Sequence, residues 1–91
     1  MKKAYLELIR KALAKEYVIS VHDGEEWQVK KSSSYKDIKD AIESVEVAEL
    51  RIRSKDDEYI IGWAQILPDL EPDCTVADYT ANELMYDLIE N

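Results

Sequence analysis

The feature that most constrains this chain is an Asp-Gly pair that joins two runs of alternating side chains. Before the pair, Tyr17, Ile19 and Val21 occupy every second position, and a similar run begins just after it. Period-two alternation is typical of strands with one buried face, and an Asp-Gly pair accepts the positive φ that a tight turn requires. The stretch therefore predicts a β-hairpin whose strands cover about 17–22 and 26–31.

Three segments place apolar residues at three- and four-residue spacing, which is typical of amphipathic helices. The first covers about 3–15, the second begins after a capping Ser34, and the third begins after a capping Thr80. Two strand patterns, "VAELRIR" and "YIIGWAQIL", lie between the second and third helices. The later strand is apolar on both faces, which predicts a central strand covered from both sides.

The order α-β-β-α-β-β-α predicts an α+β fold with a mostly antiparallel four-stranded sheet packed with helices. The chain, 1–91, has the length of a single domain. We expect an N-terminal helix within 1–16 and a ββαββα core within 17–91. Inside that core, residues 68–79 are predicted to form a long acidic loop before the C-terminal helix.

Three strand positions carry further expectations. Trp27 and Trp63 occupy in-strand positions, which favours places in the hydrophobic core over places on a binding surface. An exposed tryptophan would reverse that interpretation, because Trp is enriched where proteins bind one another. Gly62 interrupts the last strand and predicts either a β-bulge or a close approach of another group to the backbone.

Charge is distributed unevenly along the chain, whose net charge is −8. Residues 1–55 hold all 12 basic residues and half of the 20 acids, whereas residues 56–91 hold the other half and no Lys, Arg or His. A field of this sign repels phosphate backbones and anionic lipid, so direct binding to nucleic acid or membrane is not expected. Solubility is the simpler explanation of the acids, and a docking face for a basic partner is the functional one.

The residue types that carry catalysis or metal binding do not form a recognisable pattern. Cys74 lies among acids, which raise the pKa of a thiol, and His22 lies beside the hairpin turn, so a catalytic Cys–His pair is not expected. The stretch "DLEPDCTVADYT" spaces its first acids like a calcium loop, but Cys74 stands at the turn glycine and Thr80 at the closing glutamate. The sequence predicts no enzymatic activity, no metal site and no cofactor.

The expected compartment follows from the cysteine and from hydropathy. A lone cysteine cannot form an internal disulfide, which is typical of a reducing compartment. The apolar runs are all shorter than the roughly 20 residues that span a bilayer. Charged residues interrupt the apolar positions of the N-terminal stretch, unlike those of a signal peptide. A cytoplasmic location is therefore expected.

Four phrases, "SVHDGEEWQVKKS", "AIESVEVAELRI", "GWAQILP" and "VADYTANELM", resemble segments of small acidic proteins encoded by bacteriophages and prophages. The resemblance covers most of residues 18–85. It implies a viral gene and a bacterial host cytoplasm, and no established activity or site residue accompanies it. Small acidic proteins in that setting often act on host proteins, which favours an interaction role.

The sequence thus favours a non-enzymatic protein-interaction module whose acidic C-terminal face docks a basic host or viral protein. A sharper version makes this face a mimic of nucleic acid that occupies the phosphate-binding groove of its partner. The alternative is a structural or assembly subunit that self-associates through sheet edges or helix faces. Tyrosines would serve as anchors among the charges, and the candidate residues are Asp69, Glu71, Asp73, Asp78, Tyr79, Glu83, Tyr86 and Asp87.

Overall fold

The computed structural model describes residues 3–55, 60–69 and 75–89. Its helices and strands are, in chain order, α1 (Ala4–Ala14), β1 (Tyr17–His22), β2 (Trp27–Ser32), α2 (Tyr35–Glu43), β3 (Ala48–Ser54), β4 (Ile60–Ile66), β5 (Val76–Tyr79) and α3 (Glu83–Ile89). The strands form one antiparallel sheet in the order β2-β1-β3-β4-β5. The fold is α+β, with the two hairpin strands at one end of the sheet.

The predicted strand number and element order were wrong, because the sheet has five strands and the order is α-β-β-α-β-β-β-α. The additional strand, β5, lies inside the segment 68–79 that the sequence predicts as a loop. It pairs with β4 through Ala64 with Tyr79 and Gln65 with Asp78. Four residues are too few to show a period, and the strand forms because the open edge of β4 supplies hydrogen-bond partners.

The Asp-Gly hairpin is confirmed, with β1 at the predicted position and β2 one residue later than predicted. Gly24 has a φ of 101°, in the region that glycine adopts without strain. The Asp23 carboxylate Oδ1 accepts the backbone N–H groups of Glu25 and Glu26, each at 2.8 Å. These two bonds hold the pKa of Asp23 below its ordinary value. The local sequence therefore determines this turn by itself.

The core lies between the three helices and one face of the sheet. Cross-strand pairing lines up its apolar residues in rows, such as Val21 with Leu50 and then Ala64. All three side chains are fully buried. The helices contribute the other half of the core from their apolar stripes: Tyr5, Leu8, Ile9, Ala12, Ile38, Ala41, Ile42, Met85 and Leu88.

Strand β4 is not covered from both sides, and the prediction of two buried faces was wrong. A β-bulge explains the misleading pattern, because Ile52 pairs with Gly62 while its neighbour Arg53 pairs with Ile60. The extra residue, Ile61, shifts the alternation, so Ile60 faces away from the helices and is 54% exposed. Alternation read through the glycine therefore assigned Ile60 to the wrong face.

Gly62 lies beside the bulge, and it also allows α3 to approach the strand closely. A Cβ atom at this position would lie 2.5 Å from Met85 Sδ, closer than non-bonded atoms come. Met85 is fully buried and belongs to α3, so the missing side chain of Gly62 makes room for that helix on the sheet. The position of α3 therefore depends on a residue without a Cβ.

The caps of the two later helices differ in how well the sequence predicts them. Ser34 caps α2, since its Oγ accepts the N–H of Asp37 at 3.3 Å. Thr80 does not cap α3, because its Oγ1 accepts the N–H of Trp63 at 3.0 Å and extends the β4–β5 pairing. Asn82 replaces it, and its Oδ1 accepts the N–H of Met85 at 2.8 Å.

Tyr5 anchors helix α1 through two hydrogen bonds, one from its backbone and one from its side chain. The Tyr5 backbone N–H donates to Thr75 Oγ1 at 3.2 Å, next to β5. Its hydroxyl donates to Glu43 Oε2 at 2.9 Å, at the end of α2. Burial raises the pKa of Tyr5, and the bond to Glu43 adds to that effect. Lys39 and then Tyr5 hold the pKa of Glu43 below its ordinary value.

We expect Gly62→Ala to lower the free energy of unfolding by about 1–3 kcal/mol, because the added methyl overlaps Met85. The measurement is urea denaturation followed by circular dichroism. The double variant Gly62→Ala, Met85→Ala should lose less stability than the sum of the two single changes, since truncating Met85 removes the overlap. Additive losses would show that Met85 is not what excludes a side chain at position 62.

We expect Tyr5→Phe to lower the free energy of unfolding by about 1 kcal/mol at neutral pH, because the hydrogen bond to Glu43 is lost. The folded-state pKa of Glu43 lies below its ordinary value of 4.5. Its contribution is therefore present above that pH and is lost as the pH falls further. The difference between wild type and Tyr5→Phe should shrink in acid, and Glu43→Gln should abolish that pH dependence. A pH-independent difference would contradict this account.

Candidate functional site

The predicted acidic face does not form one continuous surface. Asp78 and Tyr79 are neighbours on β5, so their side chains point to opposite faces of the sheet. Tyr79 pairs with Ala64 and packs against the core on the helix side, whereas Asp78 pairs with Gln65 on the other side. Strand β5 therefore divides the acids that the sequence places together.

The remaining candidates lie on α3, before β5, or outside the described residues. Glu83, Tyr86 and Asp87 belong to α3, on the helix side of the sheet. Asp69 is exposed in the turn that follows β4. The other two candidates, Glu71 and Asp73, lie outside the described residues, as does Cys74.

Two of the candidate aromatics meet. The rings of Tyr79 and Tyr86 lie with centroids 6.0 Å apart at an interplanar angle of 90°, an edge-to-face arrangement. Tyr86 remains 39% exposed, so the pair presents part of its ring surface to solvent. The contact joins the last residue of β5 to the middle of α3. The sequence alone does not predict this ring contact, because the contact forms only when β5 is a strand.

The outer side of α3 combines aromatic, aliphatic and acidic side chains. We call the residues Glu83, Leu84, Tyr86 and Asp87, together with Tyr79, the α3 surface. Leu84 precedes Leu88 by four residues, a spacing typical of one helix face, but it is 38% exposed. Met85 and Leu88 are fully buried and face the core.

Lys3, which directly precedes α1, approaches the turn after β4. Lys3 Nζ donates to the carbonyl oxygen of Pro68 at 2.8 Å, next to Asp69. Helix α1 also packs against α3. The positive charge of Lys3 therefore moderates the acidity near Asp69.

Sequence reasoning placed both tryptophans in the core, and the structure contradicts this. Trp27 is 38% exposed and stacks edge-on against His22, with centroids 4.7 Å apart. Trp63 is half-buried and pairs across the strands with Arg51. Both lie on the face of the sheet that the three helices leave uncovered.

We call this uncovered side the open sheet face and define it by seven residues that point away from the core: Trp27, Glu49, Arg51, Arg53, Ile60, Trp63 and Asp78. Its centre is β3, where Glu49, Arg51 and Arg53 alternate with the buried Leu50 and Ile52. Glu49 and Arg51 form an ion pair at 3.7 Å. The alternation of β3 indicates this face in the sequence, but the aromatic residues beside it are identified only by the strand pairing.

The described residues enclose no cavity and gather no group of three His, Cys, Asp or Glu that would hold a metal ion. Over the same ranges, no helix combines the length and apolar character needed to cross a membrane. Both candidate surfaces are therefore open surfaces without a cleft.

Comparison of the chain with protein-family models, with curated proteins and with solved structures finds no match. Function must therefore be argued from the two surfaces themselves, since the fold class alone does not imply an activity.

Proposed function

We propose that this chain is a non-enzymatic protein-interaction module whose α3 surface docks a basic protein. The observation that supports this most is the edge-to-face pair of Tyr79 and Tyr86, which lies beside the acids Glu83 and Asp87. Tyrosine supplies a large, rigid contact area and a hydroxyl, which makes it a frequent anchor at protein interfaces. The acids around it would select the sign of the partner.

The charge distribution also supports docking by the α3 surface. Residues 56–91 contain no Lys, Arg or His, so every charge that α3 carries is acidic. Exposed acids of one sign raise the association rate with a cationic partner and oppose binding to anionic ones. The proposed partner is therefore a basic host or viral protein, including one that itself binds nucleic acid.

The geometry of α3 also supports docking over simple solvation. Acids alone would make the helix soluble, but Leu84 and Tyr86 also expose apolar surface, on the two flanks of the line that Glu83 and Asp87 form along the helix. Apolar and aromatic side chains next to charged ones are the usual composition of an interface centre and its rim. The setting that we propose is the bacterial cytoplasm, which the lone cysteine and the resemblance to phage proteins favour.

To identify the partner, we would place a photo-crosslinking amino acid at position 84 and, as a matched control, at position 25 on the β1–β2 turn. Both positions are exposed and lie in acidic surroundings. We expect adducts from a bacterial lysate that form only from position 84 and that disappear at a few hundred millimolar salt, where exposed charge pairs are screened. Identical adducts from both positions would contradict docking by the α3 surface.

We expect the pair of changes Glu83→Gln and Asp87→Asn to weaken binding to the cross-linked partner at least about fivefold and to flatten its salt dependence. The pair Glu25→Gln and Glu26→Gln is the control, because it alters the net charge equally on another surface. Tyr86→Ala should weaken binding without changing the charge, because it removes the aromatic anchor. Isothermal titration calorimetry measures each affinity. An equal loss of affinity in the control pair would show that the effect depends on net charge alone.

A further inference from the structure

The open sheet face carries more apolar surface than a solvated sheet face requires. An antiparallel sheet commonly turns one face to water, and that face is then polar along each strand. Here it carries Trp27, Trp63 and Ile60, and both Trp27 and Ile60 count among the exposed large apolar side chains. Ile60 and Trp63 are successive residues of β4 on this face, and Trp27 lies on β2 at its other side. Apolar side chains left exposed on a sheet face in this way indicate an interaction surface.

Charges on this face are separated along the strands. In the pairing register, Glu49 lies opposite Gln65, which in turn lies opposite Asp78, so acids occupy one end of the face. Arg51, the next residue of β3 on this face after Glu49, pairs with Trp63. Arg53 pairs with Ile60 at the other end. The face is therefore acidic at one end and basic from its middle to the other end.

We propose that the open sheet face binds the same face of a second copy of this chain, related by a twofold axis that runs across the strands. Such an axis reverses the strand direction between the two sheets. It brings Glu49 of each copy toward Arg51 and Arg53 of the other, so each contact occurs twice. An axis along the strands would instead set like charges against each other, which charge repulsion opposes.

The remaining residues of the face fit a packed interface. Two sheets that pack face to face lie about 10 Å apart and fill the space with side chains from both. Trp63 lies beside Arg51 near the middle, and Ile60 lies near one end, so both are available to fill that layer. The molecule measures 33 × 29 × 21 Å. A face bounded by the two longer dimensions has the size of a standard interface, which buries about 800 Å² per partner.

A second copy explains the mixed charge better than a nucleic acid does. Arginine beside tryptophan would suit a single-stranded nucleic acid, because bases stack on aromatic rings. Glu49 and Asp78 lie on the same face, however, and the net charge of the chain is −8. Both oppose a phosphate backbone. In the proposed dimer the α3 surfaces lie on the far side of each copy, so this inference is independent of the proposed function.

The test is analytical ultracentrifugation across a concentration series, with charge-reversed variants. We expect wild type to dimerise and both Arg51→Glu and Glu49→Arg to raise the dissociation constant at least about tenfold, because like charges then face each other. An equimolar mixture of these two variants should recover the dimer as a heterodimer, since acids of one copy then face arginines of the other.

Recovery of the dimer on mixing distinguishes a role of these charges in the interface from a role in the stability of a single copy. Each single change also breaks the ion pair inside one copy, and mixing cannot repair that defect. The matched control is the exposed ion pair of Lys36 and Asp40 on α2, at 3.1 Å. Lys36→Glu and Asp40→Lys should leave the dissociation constant unchanged. Circular dichroism checks that every variant is folded.

Three outcomes would overturn the proposal. The first is a monomeric wild type at every concentration tested. The second is a dimer that persists in both single variants, which would assign self-association to the sheet edges. The third is a monomer that binds a fluorescent oligothymidylate and loses this binding in Arg51→Glu, which would assign the face to single-stranded nucleic acid.

Discussion

The packing of α3 against β4 determines most of what this structure presents to its surroundings. Gly62 lacks the Cβ that would meet Met85, so the helix lies directly on the sheet at this point. Asn82 strengthens the junction from both sides, because its Nδ2 donates to the Ile61 carbonyl at 3.0 Å and its Oδ1 caps the helix. Tyr86, one residue beyond Met85, then reaches Tyr79 on β5. The aromatic anchor of the proposed docking surface is therefore a consequence of a glycine in a strand.

The same arrangement leaves the sheet with two faces of different character. Three helices pack on one face and bury a continuous apolar layer, while the described residues of the other face keep two tryptophans and two arginines within reach of solvent. The β-bulge at Ile61 adds Ile60 to the exposed side. A two-layer α+β fold needs only one covered face to be stable, so the second face is free to take another role.

The two proposed surfaces would allow the molecule to do two things at once. The α3 surface and the open sheet face lie on opposite sides of the sheet, so a copy that dimerises through one still presents the other. A dimer with two outward acidic surfaces would bind a partner that carries repeated basic sites more tightly than a monomer would. A substitution in one surface leaves the residues of the other unchanged, because no residue belongs to both.

The sequence by itself determined the elements whose signals are local. The Asp-Gly turn, the Ser34 cap and the alternation of β3 need only neighbouring residues, so the hairpin, α2 and the buried Leu50 and Ile52 were predictable. The tertiary structure decided the rest. Strand β5 exists because β4 offers an edge, and that strand, not the acidic composition, separates Asp78 from Tyr79. The bulge decides which side of the sheet Ile60 occupies, because pairing between strands sets the face and a single inserted residue reverses it.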